Sequence, residues 1–165
     1  MYIAFNPHWY ARALEEQRLR APHMMTKFAQ NDVRAAGQLR GLVIEHHVSG
    51  WFRLHYPAQY VEPDNYRRWT MVCGHDFKLK TPIGLLRIDV AGPRKDGSFG
   101  AYDLKPKQGV DYHILCRPIG FVRWDDCDYQ KGFEMQGVVE AEHFQTTIFV
   151  EHILPLHTWL KNIGL

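Results

Sequence analysis

At 165 residues, with 45% hydrophobic and 23% charged side chains, the chain has the size and composition of one soluble domain, residues 1–165, with a single core. A formal charge of +2 means that any nucleic-acid partner would be held by a local patch and not by the charge of the whole molecule. Three cysteines exclude a disulfide framework and suit a reducing, intracellular setting; no apolar run reaches a membrane span, and MYIAFNPHWYAR has no signal-peptide pattern.

The spacing predicts a first helix over 9–20, ended near Pro22, with Arg12, Arg18 and Arg20 on a solvated face or against phosphates. A second helix follows over 26–50, where Leu39, Leu42, Val43 and His46 recur at helical spacing and mark the side that packs on a sheet. Glu45 lies beside that stripe, on the face it shares with Gly41, Ser49 and Phe52. Residues 51–69 extend the helix briefly and then form a Pro-rich loop, in which Tyr60, Tyr66 and Trp69 interleave with Arg67 and Arg68. Such a mixture either stacks on bases and pairs with phosphates or caps a core edge.

Residues 71–80 read as a strand carrying Cys73, His75 and Asp76, the last either a loop-facing pair partner or an auxiliary acid. The next stretch reads as a β-hairpin: an apolar run 84–90, a turn-rich loop 91–98 and a return run 99–105. Alternation puts Asp89 on the face of Leu85 and Arg87, and Asp103 on the face of Phe99, Ala101 and Lys105. Two carboxylates and an ammonium on one surface are expensive to bury without a purpose, and a divalent cation beside a phosphate would supply one. Residues 111–122 read as a further strand limited by Pro118, 124–131 as an acidic loop, 132–144 and 146–151 as strands, and 152–163 as a closing helix.

Asp89 followed by Asp103-Leu104-Lys105 resembles the motif of the PD-(D/E)XK nucleases, the restriction-endonuclease-like fold that includes resolvases and restriction enzymes. Ile88 stands where the motif has proline, and Asp103 where glutamate is commoner. The resemblance implies an α/β domain with a central mixed β-sheet flanked by helices, and Mg²⁺-dependent endonucleolytic hydrolysis of DNA, with Mn²⁺ able to replace Mg²⁺. Asp89, Asp103, the Leu104 carbonyl and Glu45 would then hold the metal, and Lys105 would act on the attacking water or the transition-state charge. Arg67, Arg68, Arg94, Lys95 and Lys107 would contact phosphates, and a homodimer would suit cutting of both strands. Glu45 is equally explained as a solvent-exposed helix glutamate. A rival register, Glu62-Pro63-Asp64 with Asp76-Phe77-Lys78, contains a literal Pro-Asp, but in a turn-forming sequence with no apolar strand behind it.

Two alternatives are of another class. Cys73-Gly-His75 and His113-Ile-Leu-Cys116 could together ligate zinc, with Cys127 spare, and make the chain a zinc-stabilised binding module. The same fold could also bind nucleic acid without catalysis.

Overall fold

The fold is known from a computed structural model that describes residues 1–24, 32–62, 75–101, 109–121 and 127–165, apart from the side chains of 21–24 and 32–36. Two long helices come first, α1 over Pro7–Met24 and α2 over Asp32–His55, preceded by the short strand β1, Tyr2–Ile3. Strands β2 (Tyr60–Val61), β3 (Phe77–Thr81), β4 (Gly84–Ala91), β5 (Tyr112–Pro118) and β6 (Phe133–Glu140) follow, and α3, Leu156–Asn162, closes the chain. The six strands form one mixed sheet in the order β1-β6-β5-β4-β3-β2, in which β4 and β5 are parallel and every other pair is antiparallel.

One face of the sheet carries the main core. Phe77, Leu79, Ile88, Ile114, Cys116, Phe133, Met135 and Val138 pack there against Leu42, Val43, Ile44, Val48 and Phe52 of α2 and Trp159 of α3. Because α1 lies along α2 on its other side, residues 42–50 are buried almost all round, which explains why this helix is apolar well beyond a single stripe. The approach is close: a Cβ placed on Gly50 would lie 2.5 Å from Nε1 of Trp9. Asp89, His113, Leu115 and Val139 belong to the opposite face, a second and smaller buried layer.

Several expected boundaries move. Helix α1 continues past Pro22 to Met24, since a proline in a last turn forfeits a single backbone hydrogen bond. Its arginines are engaged on the helix itself: Arg18 pairs with Glu15, Arg20 with Glu16, and Arg12 lies over the Trp9 ring. Helix α2 runs on to His55, in keeping with the brief extension expected after residue 50, with Phe52 buried. The stretch expected as a strand over 146–151 is a bend followed by a 3-10 turn over Val150–His152, with Phe149 and Val150 exposed. The β-favouring residues there find no strand edge to extend.

Candidate functional site

Asp103, Leu104, Lys105, Lys107, Arg67 and Arg68 lie outside the described residues, as do Asp64 and Cys73. The expected hairpin is not formed where it can be followed. Residues 98–101 are irregular, and both sides of β4 are already taken, by β3 along Gly84–Ile88 and by β5 along Ile88–Ala91. Ala101 instead donates its N–H to the Gln145 carbonyl at 2.9 Å. Arg94 donates to the carbonyls of Gly100 and Ala101, so its guanidinium braces this loop, whereas Lys95 is exposed on it.

The antiparallel neighbour of Asp89 is therefore the start of β3, and the carboxylate across from it is Asp76. Phe77 registers with Ile88; Asp76 N–H donates to the Ile88 carbonyl at 2.7 Å, and Val90 N–H donates to Asp76 Oδ2 at 2.7 Å. Asp76 is thus fixed at the open end of the β3–β4 hairpin, directly beneath α2. Lys78 registers with Arg87, so alternation places it on the face that Asp89 occupies. From the sequence Asp76 is either a loop-facing pair partner or an auxiliary acid; the signal for its place across from Asp89 is the apolar run 84–90 beginning only three residues after the strand before it, which favours a tight β3–β4 turn over the long loop 91–98.

Glu45 reaches the same end from above. With Trp9, His46, Arg53, Tyr60 and Asp76 it lines a crevice of about 10 Å³ between the two helices and the start of β3. The residue keeps part of its surface, but its carboxyl group is packed about with protein. Burial, followed by the negative charges of Asp76, Glu16 and Asp89, holds that carboxyl well above the ordinary carboxylate range, against a smaller opposing pull from Arg20. Glu16 contributes from α1, where it accepts a hydrogen bond from His46 Nε2 at 2.8 Å and pairs with Arg20. Burial would raise the Glu16 pKa, and these two partners outweigh it and lower it. Carboxyl groups from α1, from the residue before β3 and from β4 thus act on Glu45 of α2, Asp89 the most weakly of them.

Asp89 adds a second kind of contact. It is buried, and its Oδ2 accepts a hydrogen bond from Nδ1 of His113, the residue beside it on the parallel strand β5, at 2.9 Å. The Phe144 ring stacks on the imidazole, with centroids 3.8 Å apart and planes 15° apart. This arrangement separates the two members of the proposed zinc pair. His113 faces Asp89, whereas Cys116 sits in the main core on the other face, where burial pushes its thiol far above the ordinary value. A shared zinc ion cannot be reached from both, because two residues of one strand turned to opposite faces have no common ligand position.

Two further features lie apart from the acids. A cavity of about 710 Å³ opens on the second face among Arg94, Phe99, Leu115, Gln136, Thr147 and Ile153. Among the described residues, Glu140, Glu142 and His143 are the group whose donor atoms all fall within 4.8 Å of one another; Glu45, Asp76 and Asp89 are spaced more widely. No helix among the described residues is long and apolar enough to cross a membrane. Comparison with family models, curated proteins and solved structures finds no match.

Proposed function

We propose that this chain is a divalent-metal-dependent endonuclease on a restriction-endonuclease-like core, hydrolysing DNA at the open end of the β3–β4 hairpin. The observation that carries the reading is the packing of Glu45 beside Asp76 in the crevice between the two helices and the start of β3, where burial and the charges of Asp76, Glu16 and Asp89 hold its carboxyl above the ordinary range. By donor type the set suits a hard ion, since all are carboxylate oxygens, although Glu45, Asp76 and Asp89 are spaced more widely than the ligands of one ion. In this reading Glu45, Asp76 and Asp89 hold Mg²⁺, or Mn²⁺ in its place, with Asp103 and the Leu104 carbonyl completing the set. When bound, the ion supplies charge neutralisation at the scissile phosphate and a lowered pKa for water.

The chain's own side chains do the rest. Lys78, on the face of Asp89, and Lys105 supply ammonium groups that attract a phosphate and offset charge as it develops on the non-bridging oxygens. Arg67, Arg68, Lys95 and Lys107 hold the flanking backbone, while Arg94 acts through the loop it braces. A homodimer would present two such sites to the two strands.

The test is incubation of purified protein with DNA and Mg²⁺, repeated with EDTA and with Asp89→Asn, Asp103→Asn and Lys105→Ala. The reading expects cleavage that EDTA abolishes and that each substitution lowers by about two orders of magnitude or more. Cleavage that survives EDTA and all three substitutions would remove the site. DNA binding with no cleavage under any metal would favour the inactive binding module.

A further inference from the structure

We propose that Glu140, Glu142 and His143 form a site for a divalent ion of the zinc type at the turn that follows β6. The site uses none of the residues of the hard-ion reading above and stands or falls apart from it. The donor atoms of the three side chains all lie within 4.8 Å of one another. Within the set, His143 Nε2 and Glu142 Oε1 are 3.4 Å apart. A charge-assisted hydrogen bond between an imidazole nitrogen and a carboxylate would close to about 2.7–2.9 Å. Two ligands of one tetrahedral zinc, with bonds of about 2.0–2.2 Å, stand roughly 3.4 Å from each other. The pair therefore has the spacing of groups that share an ion, not of groups bonded directly.

The backbone holds this geometry. Glu140 ends β6 in register with Tyr112, and the 3-10 turn over Ala141–His143 folds the chain back so that residues 140, 142 and 143 share one place. Ala141 N–H donates to the Asp111 carbonyl at 3.0 Å, which pins the turn to the start of β5. The imidazole is held too: His152 stacks on it with centroids 3.9 Å apart and planes 14° apart, and Phe149 meets the His152 ring edge-on. Among the described residues no lysine or arginine pairs with Glu140 or Glu142, so the two carboxylates have a single imidazole to offset them. The donor set decides the ion. A nitrogen beside carboxylate oxygens suits Zn²⁺ and its neighbours, whereas Mg²⁺ is served by oxygen alone. Three protein ligands leave a fourth position for water, and the side chain of Glu142, 75% exposed, leaves the site open to it. When bound, the ion ties the end of β6 to the turn that carries Phe144 onto His113.

The experiment uses the full chain without DNA, stripped with EDTA and then held in excess Mg²⁺ so that any hard-ion site is filled. Zn²⁺ is titrated by calorimetry while the histidine ring signals are followed by NMR. Wild type is expected to bind Zn²⁺, with the stacked rings of His143 and His152 the first to change. Glu142→Gln and His143→Ala should each weaken that binding by roughly tenfold to hundredfold, whereas Glu151→Gln, exposed on the neighbouring turn, should leave it unaltered. Failure of wild type to bind, binding that both substitutions leave unaltered, or a first change at a histidine outside the stacked pair would overturn the proposal. An equal loss in Glu151→Gln would trace the effect to surface charge and would overturn it as well. Glu142→Gln keeps the side-chain shape at an exposed position, so a failure to fold does not stand in for a lost ligand. DNA cleavage, which rests on other residues, is untouched by any of these outcomes.

Discussion

His47 makes the stability of this fold fall steeply in mild acid. The side chain is fully buried on α2: its Nδ1–H donates to the Val43 carbonyl at 2.7 Å, which leaves Nε2 as the acceptor for the Asn6 N–H at 3.0 Å. Protonating Nε2 would break that second bond and place a charge between the rings of Phe5 and Phe133, next to His46. Burial accordingly holds the imidazole down at about 4, against 6.5 in an unfolded chain. Above pH 6.5 both states are neutral and the full stability is present; as pH falls from 6.5 to about 4 the unfolded state takes up a proton that the folded state refuses, and stability is lost. At roughly 1.4 kcal/mol for each pH unit the loss from this one group is about 3 kcal/mol. The assay is urea unfolding at a series of pH values for wild type and His47→Gln, which keeps a donor and an acceptor but cannot titrate. Wild type should lose about 3 kcal/mol more than the variant between pH 6.5 and 4. Parallel curves would refute the reasoning, because the other histidines are common to both proteins.

Phe52 is fully buried where α2 meets Phe77 and Trp159, so Phe52→Ala should cost about 3–5 kcal/mol, while Leu54→Ala, at 67% exposure, should stay within about 0.5 kcal/mol. Equal melting temperatures for the two variants would mean that α2 does not extend to His55. Gly132 has φ of +83°, and a Cβ there would lie 2.6 Å from the Ile3 carbonyl oxygen; Gly132→Ala should therefore destabilise by about 2–4 kcal/mol and expose the amides of β1 and the start of β6 to hydrogen exchange. Glu16 has its pKa lowered in the folded state, so its contribution is present above the ordinary carboxylate pKa and is lost as pH falls through the lower folded value. Glu16→Gln should thus cost roughly 1–3 kcal/mol near neutral pH and distinctly less in acid, as unfolding curves at the two extremes would reveal.

What the sequence made legible was periodicity; what it concealed was which strands are neighbours. The stripe of Leu42, Val43 and His46 is buried in the structure, and the alternation of Leu86, Ile88 and Val90 against Arg87 and Asp89 corresponds to the two faces of the sheet, Asp89 being buried on the second. Helices and strands in one chain were accessible from those patterns, the mixed sheet only from the family resemblance, and β5 and β6 lie within the stretches expected as strands. The pairing of Asp89 was not accessible. Alternation puts Asp89 on the face of Leu85 and Arg87, but the loop 91–98 and the turn at Pro82 are equally good punctuation, and only the sheet reveals that β3 and β5 flank β4. The place of Asp76 is hidden in the sequence for the same reason, since it comes from sitting across the hairpin from Asp89 and below Glu45. His113 stood out as one half of a possible zinc pair, because spacing along a chain cannot separate a residue facing Asp89 from one three positions on that faces the core.

The central claim is that the carboxylates of Asp76 and Asp89 act on Glu45 of α2 and that a divalent cation relieves their charge. It is tested most directly by following the side-chain carboxyl carbon of Glu45 by NMR through a pH titration, with and without saturating Mg²⁺. Without the ion, Glu45 should ionise well above the ordinary glutamate value of 4.5, and with the ion its midpoint should fall. A midpoint near the ordinary value without Mg²⁺, or one that saturating Mg²⁺ leaves unmoved, would contradict the account.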